Sequence, residues 1–277
     1  MKNWLNKKTV FLTGASGGIG RELCKLLVQK YGANVIGVGR SEEKMQTLSQ
    51  ELKDAKGSFS YRLFDVSDKS AWQACYDELL VQGVTLDAVI HNAGMFPAFN
   101  KTLNMSTEII EQVMQTNYFS AVYGTNALLP LLKGDGKDKP AIVFICSSSA
   151  LCTVVGTAAY SASKSAMKGY AEALQMEEKG EKYIGIVYPG TTATDLFRDD
   201  ENTKNSALDL IAMPAKKMAK KIAKRILHRR RRSVVGWDAK LMTLTAKLMP
   251  VWGLSIIAWV MKISKSKVFR EVFKQEK

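Results

Sequence analysis

The fold begins with Thr9-Val10-Phe11-Leu12-Thr13-Gly14-Ala15-Ser16-Gly17-Gly18-Ile19-Gly20, a short apolar strand that runs directly into a glycine-rich turn. Leu23, Leu26 and Leu27 follow at helical spacing, so a helix begins at the turn. Glycines permit a tight turn, and the first turn of a helix offers free N–H groups and the positive end of the helix dipole. The segment therefore predicts a phosphate-binding loop at the first strand–helix junction.

The spacing of the glycines and the end of the next strand bear on which nucleotide is bound. Gly14, Gly18 and Gly20 do not fit the Gly-x-Gly-x-x-Gly fingerprint, and no Gly-Lys-Ser/Thr ending marks a triphosphate loop. The second strand, residues 34 to 38, is followed by Gly39-Arg40. An acidic residue near this point binds the adenosine ribose, whereas an arginine accommodates the 2′-phosphate of NADP. Arg40 therefore favours NADP over NAD; the alternative is a solvated loop cation.

Tyr160 and Lys164 lie four residues apart, so a helix places the phenol and the ammonium on one face. Of the nine tyrosines, only Tyr160 has a lysine four residues later. A phenol has a reference pKa near ~10, and a neighbouring cation lowers that pKa by stabilising the phenolate. The pair therefore indicates proton transfer. Taken alone, it could also be an exposed helix face with a solvated lysine.

With these motifs in place, the chain resembles the short-chain dehydrogenase/reductase family over about residues 6 to 236. The resemblance rests on seven motifs in order: Thr13-Gly14-x-x-x-Gly18-x-Gly20, Asp65-Val66, Asn92-Ala93-Gly94, Asn117, Ser147, Tyr160-x-x-x-Lys164 and Pro189-Gly190-x-x-x-Thr194. It implies an NADP(H)-dependent oxidoreductase that transfers a hydride between the nicotinamide and a carbonyl or secondary alcohol carbon.

The resemblance also implies where the cofactor is bound. The three glycines lie along the pyrophosphate, Asp65 and Val66 contact the adenine, and the Asn92 motif lies beside the adenosine ribose. The Pro189 motif binds the carboxamide and opens the substrate loop, at about residues 191 to 213. The cofactor-binding residues so predicted are Thr13, Gly14, Ser16, Gly18, Ile19, Gly20, Arg40, Asp65, Val66, Asn92, Ala93, Gly94, Tyr160, Lys164, Pro189, Gly190, Thr192 and Thr194.

The catalytic residues implied in the same way are Asn117, Ser147, Tyr160 and Lys164. The family places its serine thirteen residues before the tyrosine, which selects Ser147 from three consecutive serines; its two neighbours are the fallback. Ser147 then holds the substrate oxygen and Tyr160 transfers its proton. Lys164 lowers the pKa of Tyr160 and binds the nicotinamide ribose, while Asn117 anchors a water that carries protons from Lys164 to solvent.

Strands alternate with helices without a long polar linker, which predicts one α/β domain. We expect a Rossmann-type, doubly wound sheet of seven parallel strands with helices on both faces, followed by a basic helical C-terminal extension. The domain covers residues 1–236 and the extension residues 237–277. The strands are expected near residues 8–13, 34–39, 59–64, 86–91, 140–146, 183–188 and 233–236.

The net charge of +14 is concentrated at the C-terminus. Residues 1–215 hold 22 Lys/Arg and 23 Asp/Glu, whereas residues 216–277 hold 18 Lys/Arg and 3 Asp/Glu, hence −1 and +15. A cationic amphipathic helix is expected from residue 215 to 227. It either packs on the sheet, with the following tail over the substrate pocket or a subunit contact, or docks with residues 216–263 on anionic membrane. Without a base-reading module we expect no nucleic-acid binding.

Four cysteines and two histidines show no metal-ligand or disulfide spacing, so we expect buried reduced thiols and no metal site. His91 is expected to be structural rather than catalytic. The first strand begins too early for a cleavable signal to precede it. These features favour a cytoplasmic protein, with the inner membrane surface as the place of any peripheral contact.

The substrate is expected to be lipophilic because apolar residues cluster in the substrate loop and after two predicted strands. A steroid, a long-chain 3-keto lipid and a retinoid-like compound all fit. The resemblance to the family also implies a homodimer or homotetramer that pairs through the helix at about Ala159–Lys179 and the helix before it. A non-catalytic NADP-binding regulatory or scaffold protein is the alternative function. The proposed pocket residues are Met95, Phe96, Phe99, Leu151, Val154, Val155, Leu196, Phe197, Leu208, Leu210, Ile211 and Met213.

Overall fold

Seven parallel strands form the central sheet, in the order β3-β2-β1-β4-β5-β6-β9. The computed structural model describes residues 3–134, 136–194, 211–264 and 269–273. Every strand of this sheet lies within two residues of its predicted position, so the predicted fold is confirmed. The strands of the sheet are β1 (Thr9–Thr13), β2 (Asn34–Gly39), β3 (Phe59–Leu63), β4 (Ala88–His91), β5 (Ala141–Ile145), β6 (Tyr183–Pro189) and β9 (Arg232–Val235), and a separate parallel pair is β7 (Thr192–Ala193) with β8 (Met213–Pro214).

Helices cover both faces of the sheet. Two are extended by a π-helical turn, at Leu26–Lys30 and Gln115–Phe119. The described helices are α1 (Gly18–Lys25), α2 (Glu42–Glu51), α3 (Lys69–Val81), α4 (Thr107–Met114), α5 (Ser120–Leu128), α6 (Ala158–Glu177), α7 (Ala215–Leu227), α8 (Trp237–Leu248), α9 (Trp252–Ile263) and α10 (Arg270–Phe273).

The central strands are continuous apolar runs because both of their faces are covered. All residues of β5 and β6 are buried, as expected for parallel strands packed between two helical layers. One core cluster joins the sheet to α1, α2 and α7, and a second joins the other face to α3, α5 and α6. The order of the strands reverses between β1 and β4, and this opens a crevice at their carboxyl ends.

The cationic helix α7 packs on the sheet through its apolar stripe. Met218, Ala219, Ile222, Ala223 and Ile226 are buried against α1 and the sheet, so this stripe cannot contact lipid. The lysines of the opposite face are exposed. Of the two interpretations of this helix, the structure therefore favours packing on the sheet.

The arginine run between α7 and β9, residues 229–232, makes contacts within the domain. The Arg229 guanidinium lies 4.2 Å from the centroid of the Trp4 ring and donates to the carbonyl of Lys139 at 2.9 Å. Arg232 lies 5.4 Å from the Tyr188 ring and forms an ion pair with Glu172 at 3.6 Å. The Arg231 guanidinium donates to the Gln175 carbonyl at 2.5 Å, so three of the four arginines are bound within the domain and do not form a free cationic patch.

Helices α8 and α9 follow β9 and pack against each other. A Cβ on Gly253 would lie 2.9 Å from the Thr245 carbonyl oxygen, so glycine allows the two helices to approach closely. No helix in the described ranges is both long and apolar enough to cross a bilayer. Whether residue 236 is a domain boundary stays a prediction.

Candidate active site

The glycine-rich turn between β1 and α1 leaves no room for side chains at two positions. Gly14 has φ +69°, and a Cβ on it would lie 2.9 Å from the Ala93 Cα. A Cβ on Gly20 would lie 2.0 Å from the Gly14 carbonyl oxygen, which only glycine can avoid. Gly14, Gly18, Ser16 and Ile19 line the cavity described below, whereas Gly20 lies behind the loop and shapes it.

Thr13 connects the glycine turn to the end of β4. Its hydroxyl accepts hydrogen bonds from the backbone N–H groups of Asn92 and Ala93, at 2.9 and 3.0 Å. The Asn92 amide in turn donates to the Thr13 carbonyl at 3.1 Å. Asn92, Ala93 and Gly94 line the cavity, but Thr13 does not. Thr13 therefore positions the residues around the site instead of facing a ligand.

Arg40 and Asp65 stand at the ends of β2 and β3 as an ion pair, with 3.3 Å between Nη1 and Oδ2. Burial raises the pKa of the Asp65 carboxyl, but hydrogen bonds from the Ser67 N–H and hydroxyl and the nearby Arg40 outweigh it, so the pKa is lowered overall. The Arg40 side chain is 77% exposed at the cavity rim. Val66 lines the cavity beside them.

The three catalytic candidates that come from β5 and α6 meet at one point. Ser147 follows β5, and its hydroxyl accepts a hydrogen bond from the Ser149 N–H at 3.2 Å. Ser147 also lies beside the Tyr160 phenol and lowers the pKa of that group. Lys164 lies one turn along α6, with Nζ 5.8 Å from the centroid of the Tyr160 ring. Tyr160 and Lys164 are 8% and 3% exposed, so the solvated-face interpretation of this pair is wrong.

Burial dominates the acidity of this pair. Desolvation raises the pKa of Tyr160 to about 12, against a smaller lowering by the hydrogen bond from Ser147. Desolvation also lowers the pKa of Lys164. In the protein alone, removal from water sets the direction of the Tyr160 pKa. The lowering expected from Lys164 in the cofactor-bound site stays a prediction.

Asn117 is fully buried in the π-helical turn, and its side-chain amide hydrogen-bonds two other segments of the chain. Its Oδ1 accepts from the Met95 N–H at 2.7 Å, and its Nδ2 donates to the Met95 carbonyl and the Ser163 hydroxyl, both at 2.9 Å. These bonds tie the segment after β4 to α6. Asn117 does not line the cavity, and its predicted role in binding a water stays a prediction.

The segment after β6 is fixed by a residue that the sequence did not single out. Asp238, in the first turn of α8, accepts a hydrogen bond from the Thr191 N–H at 2.6 Å and is 6% exposed. A Cβ on Gly190 would lie 2.3 Å from the same carboxylate. Thr192 donates its hydroxyl proton to the Gly190 carbonyl at 2.9 Å. An acidic residue in the first turn of a helix is common, so only the fold reveals this contact.

One cavity of about 960 Å³ runs from the glycine turn to Tyr160. Pro189, Gly190, Thr192 and Thr194 line it, and a Cβ on Gly18 would lie 3.1 Å from the Thr194 methyl group. Of the eighteen predicted cofactor residues, only Thr13 and Gly20 do not line the cavity.

The rest of the cavity wall is apolar and comes from both halves of the chain. Phe96 packs edge-on to Tyr160 with 5.0 Å between ring centroids, and Phe99 does the same to Phe269 at 5.1 Å. Among the predicted pocket residues, Met95, Val154 and Ile211 also line the cavity, but Leu151, Val155 and Met213 do not. Four predicted residues lie outside the described ones: Leu196, Phe197, Leu208 and Leu210. The C-terminal extension adds Leu241, Met242, Ile256, Ile257, Val260 and Met261.

The histidine and cysteine residues have structural environments. His91 is buried, accepts or donates one hydrogen bond with the Thr125 hydroxyl at 3.0 Å, and stacks on Phe144. Burial lowers the pKa of His91 to about 3, so its ring is neutral. All four cysteines are buried and free, as expected. The described residues contain no cluster of His, Cys, Asp or Glu that could hold a metal ion.

The comparison with protein families gives one match. The model described as short chain dehydrogenase matches residues 8–205, which include every motif named in the sequence up to Thr194.

Curated relatives are reductases and oxidoreductases. A benzil reductase of Saccharomyces cerevisiae, which forms (S)-benzoin, is 31% identical over 205 residues, or 71% of this chain and 76% of the relative. A 3-ketodihydrosphingosine reductase of Bos taurus is 28% identical over 275 residues, or 95% of this chain and 81% of the relative. The bovine match therefore extends into the C-terminal extension.

Solved structures share the fold. A short-chain dehydrogenase of Shigella flexneri, determined in complex with NADP, superposes with a TM-score of 0.73 at 26% identity, covering 87% of this chain and 100% of that one.

Proposed function

The chain belongs to the short-chain dehydrogenase/reductase family and is an oxidoreductase of that family, and from this premise we propose that it reduces a lipophilic ketone with NADPH. The observation that carries the proposal is that Ser147, Tyr160 and Lys164 line the same cavity as the glycine turn, with the Lys164 Nζ 5.8 Å from the centroid of the Tyr160 ring. A phosphate-binding loop and a proton donor thus face one space.

The residues lining the cavity fit a dinucleotide. Gly14 and Gly18 keep their side of the cavity free of side-chain atoms, and the N-terminal turn of α1 begins there. Arg40 and Asp65 would hold the adenosine end, and Pro189 to Thr194 the nicotinamide end. When bound, the nicotinamide supplies or accepts the hydride. We propose NADP over NAD because Arg40 follows β2 where an acidic residue would select NAD.

The proton in this reaction comes from Tyr160. Because burial keeps its hydroxyl protonated at neutral pH, Tyr160 is prepared to donate a hydrogen bond, and then the proton, to the oxygen of a ketone. Ser147 lines the cavity beside the phenol, so its hydroxyl can bind the same substrate oxygen. Lys164 places a cationic group within 5.8 Å of the phenol ring and stabilises the phenolate left by that transfer.

The substrate class follows from the apolar wall. Phe96, Phe99, Ile257, Met261 and Phe269 enclose the space beside Tyr160. Among the candidate lipids, a long-chain 3-keto lipid is favoured, since the relative that matches 95% of this chain is a 3-ketodihydrosphingosine reductase. Burial of one methylene contributes about 0.8 kcal/mol.

A chain-length series tests the substrate. NADPH oxidation is measured with 3-keto lipids of increasing chain length, with a steroid ketone and with benzil. Each added methylene is expected to raise kcat/KM up to about fourfold until the cavity is filled. NADH in place of NADPH, and Arg40→Ala, test the cofactor: both should raise the apparent KM of the cofactor about tenfold or more.

Two results would contradict the proposal. A kcat/KM independent of chain length would exclude the lipophilic pocket, and equal use of NADH would exclude the role of Arg40. Tight NADPH binding without oxidation of any ketone would instead support a non-catalytic NADP-binding protein.

We also propose a homo-oligomer, as in the resemblance stated above, with α5 and α6 as the contact. Light scattering coupled to size-exclusion chromatography tests this directly: a mass of one chain at micromolar concentration would contradict it.

A further inference from the structure

Large apolar side chains are concentrated on the solvent face of α8 and α9. On α8 they recur at intervals of three and four residues and are between 53% and 69% exposed: Trp237, Leu241, Leu244 and Leu248. On α9, Trp252, Ile256, Trp259 and Ile263 repeat the same spacing. Of the nineteen exposed large apolar residues in the described part of the chain, twelve lie between residues 237 and 263. They form a contiguous patch, which single scattered residues would not.

The inner faces of the two helices are already occupied. Ala239 and Gly253 are buried, and Ile257 and Met261 pack in a cluster with Phe269. The outer stripe stays largely exposed to solvent in the described part of the molecule. A helix that is apolar on its inner and outer faces is normally buried on both, so the outer face of α8 and α9 is expected to be covered by an apolar partner.

The charges around the patch select an anionic partner. From residue 239 to 270 the sequence contains no Asp or Glu and six Lys or Arg. Lys240, Lys247 and Lys262 are exposed on the two helices and form no ion pair in the described part of the molecule. In a symmetric contact between two copies of the chain, these lysines would face lysines without compensating carboxylates. Anionic phospholipid headgroups supply the missing negative charge.

The dimensions of the helices fit a position in the headgroup region. Each helix has 12 residues and is about 18 Å long, too short for a hydrocarbon core of about 30 Å. Tryptophan is favoured at the boundary between headgroups and acyl chains, and three of the five tryptophans lie on this patch. We propose that α8 and α9 dock the protein on a bilayer surface containing anionic phospholipids, with their axes in the membrane plane.

The cavity opens on the same face. Leu241, Ile256 and Val260 are exposed and also line the cavity, so its mouth lies within the patch. A docked protein would present its substrate site to the acyl-chain region. The docking proposal itself concerns the surface alone and does not depend on the proposed reductase activity.

Vesicle sedimentation tests the proposal with the full-length protein. Vesicles of phosphatidylcholine are compared with vesicles that also contain phosphatidylglycerol. We expect strong binding only to the vesicles that contain the anionic lipid. The double variant Trp252→Ser, Trp259→Ser should bind these vesicles at least about tenfold more weakly. The triple variant Lys240→Gln, Lys247→Gln, Lys262→Gln should also bind them more weakly. Brominated phosphatidylcholine, mixed with the anionic lipid, should quench the fluorescence of Trp252 and Trp259.

Val81→Ser with Leu103→Ser is the matched control, because these side chains are 88% and 98% exposed outside the patch. It should bind vesicles like the unmodified protein. Equal thermal midpoints and NADPH affinities show that each variant is folded. Vesicle binding unchanged by the tryptophan substitutions would overturn the proposal. So would absence of vesicle binding together with a dimer that Trp252→Ser with Trp259→Ser dissociates, since the patch would then be a subunit contact.

Discussion

At the scale of single residues, the protonation state of Tyr160 decides which direction of the reaction this side chain can assist. Burial raises the pKa of Tyr160 to about 12 and lowers the pKa of Lys164, so the hydroxyl stays protonated through the neutral range. A protonated phenol is the form that donates to a ketone, whereas oxidation of an alcohol needs the phenolate. The site is therefore prepared for reduction.

The pH dependence of the two directions should differ in sign. Below its folded pKa, Tyr160 is an acid, so kcat/KM for ketone reduction is expected not to rise between about pH 6 and pH 9. The phenolate fraction grows about tenfold per pH unit in this range, so alcohol oxidation should rise. Initial rates in both directions, in buffers of constant ionic strength, measure this. A parallel rise of both rates would show that Tyr160 is not the proton donor.

Removal of the phenol hydroxyl tests the same residue directly. Tyr160→Phe deletes the proton donor but keeps the ring that packs on Phe96, so kcat should fall roughly 100- to 10,000-fold. NADPH affinity, measured by fluorescence titration, should change less than about threefold. Tyr76→Phe, a half-buried tyrosine of α3, is the control and should retain full activity. Retained turnover in Tyr160→Phe would refute the assignment.

At the scale of the elements, the parts that the sequence predicts are those set by local chemistry. Strands β1, β5 and β6 are apolar runs of a parallel sheet, and α7 carries its stripe at helical spacing, so their positions follow from the pattern. Motif residues at strand ends come together because parallel strands end at one edge. The role of Asp238 depends on how α8 docks, and the raised pKa of Tyr160 depends on burial; neither is a property of local sequence.

The contact between α8 and the segment after β6 should be disrupted by any side chain added at Gly190. Gly190→Ala would place a Cβ 2.3 Å from the Asp238 carboxylate, displacing α8 or the Thr191 backbone. We expect a loss of about 1–3 kcal/mol in unfolding free energy and a raised KM for NADPH. Gly169→Ala, on α6 with nothing within 4 Å of the added carbon, is the control and should be neutral or stabilising.

Substitutions of Asp238 separate the effect of its hydrogen bond to the Thr191 N–H from the effect of its packing against Gly190. Asp238→Asn keeps an acceptor for the Thr191 N–H, whereas Asp238→Ala leaves that half-buried N–H without its acceptor. The alanine variant should therefore raise the KM for NADPH more than the asparagine variant does. Equal KM values for Asp238→Ala and the unmodified enzyme would mean that the hydrogen bond does not position the segment.

At the scale of the whole molecule, the residues expected to bind the cofactor and those expected to bind the substrate come largely from different parts of the chain. Every residue expected to hold the adenosine end of the cofactor precedes residue 95, while the apolar wall draws on residues as late as Phe269. The acidic and basic residues of the first 215 positions nearly balance. Of the excess positive charge, residues 216–232 hold ten Lys/Arg and no Asp/Glu, and residues 233–277 hold eight Lys/Arg and three Asp/Glu. Cofactor binding and substrate binding should consequently be separable by truncation.

A chain ending at Gly236 keeps all seven strands of the main sheet and loses α8, α9 and the Asp238 carboxylate. The adenosine end of the site is untouched, so the affinity for 2′,5′-ADP, which lacks the nicotinamide, should stay within about threefold by calorimetry. The apolar wall is gone, so kcat/KM for a long-chain ketone should fall more than about 100-fold, since several buried methylenes at about 0.8 kcal/mol each are lost. Asp238→Ala distinguishes the two causes, because it removes the hydrogen bond but keeps the wall. If the truncated chain reduced the long-chain ketone as fast as the full chain, the extension would have no part in substrate binding, and the patch on α8 and α9 would have to serve attachment alone.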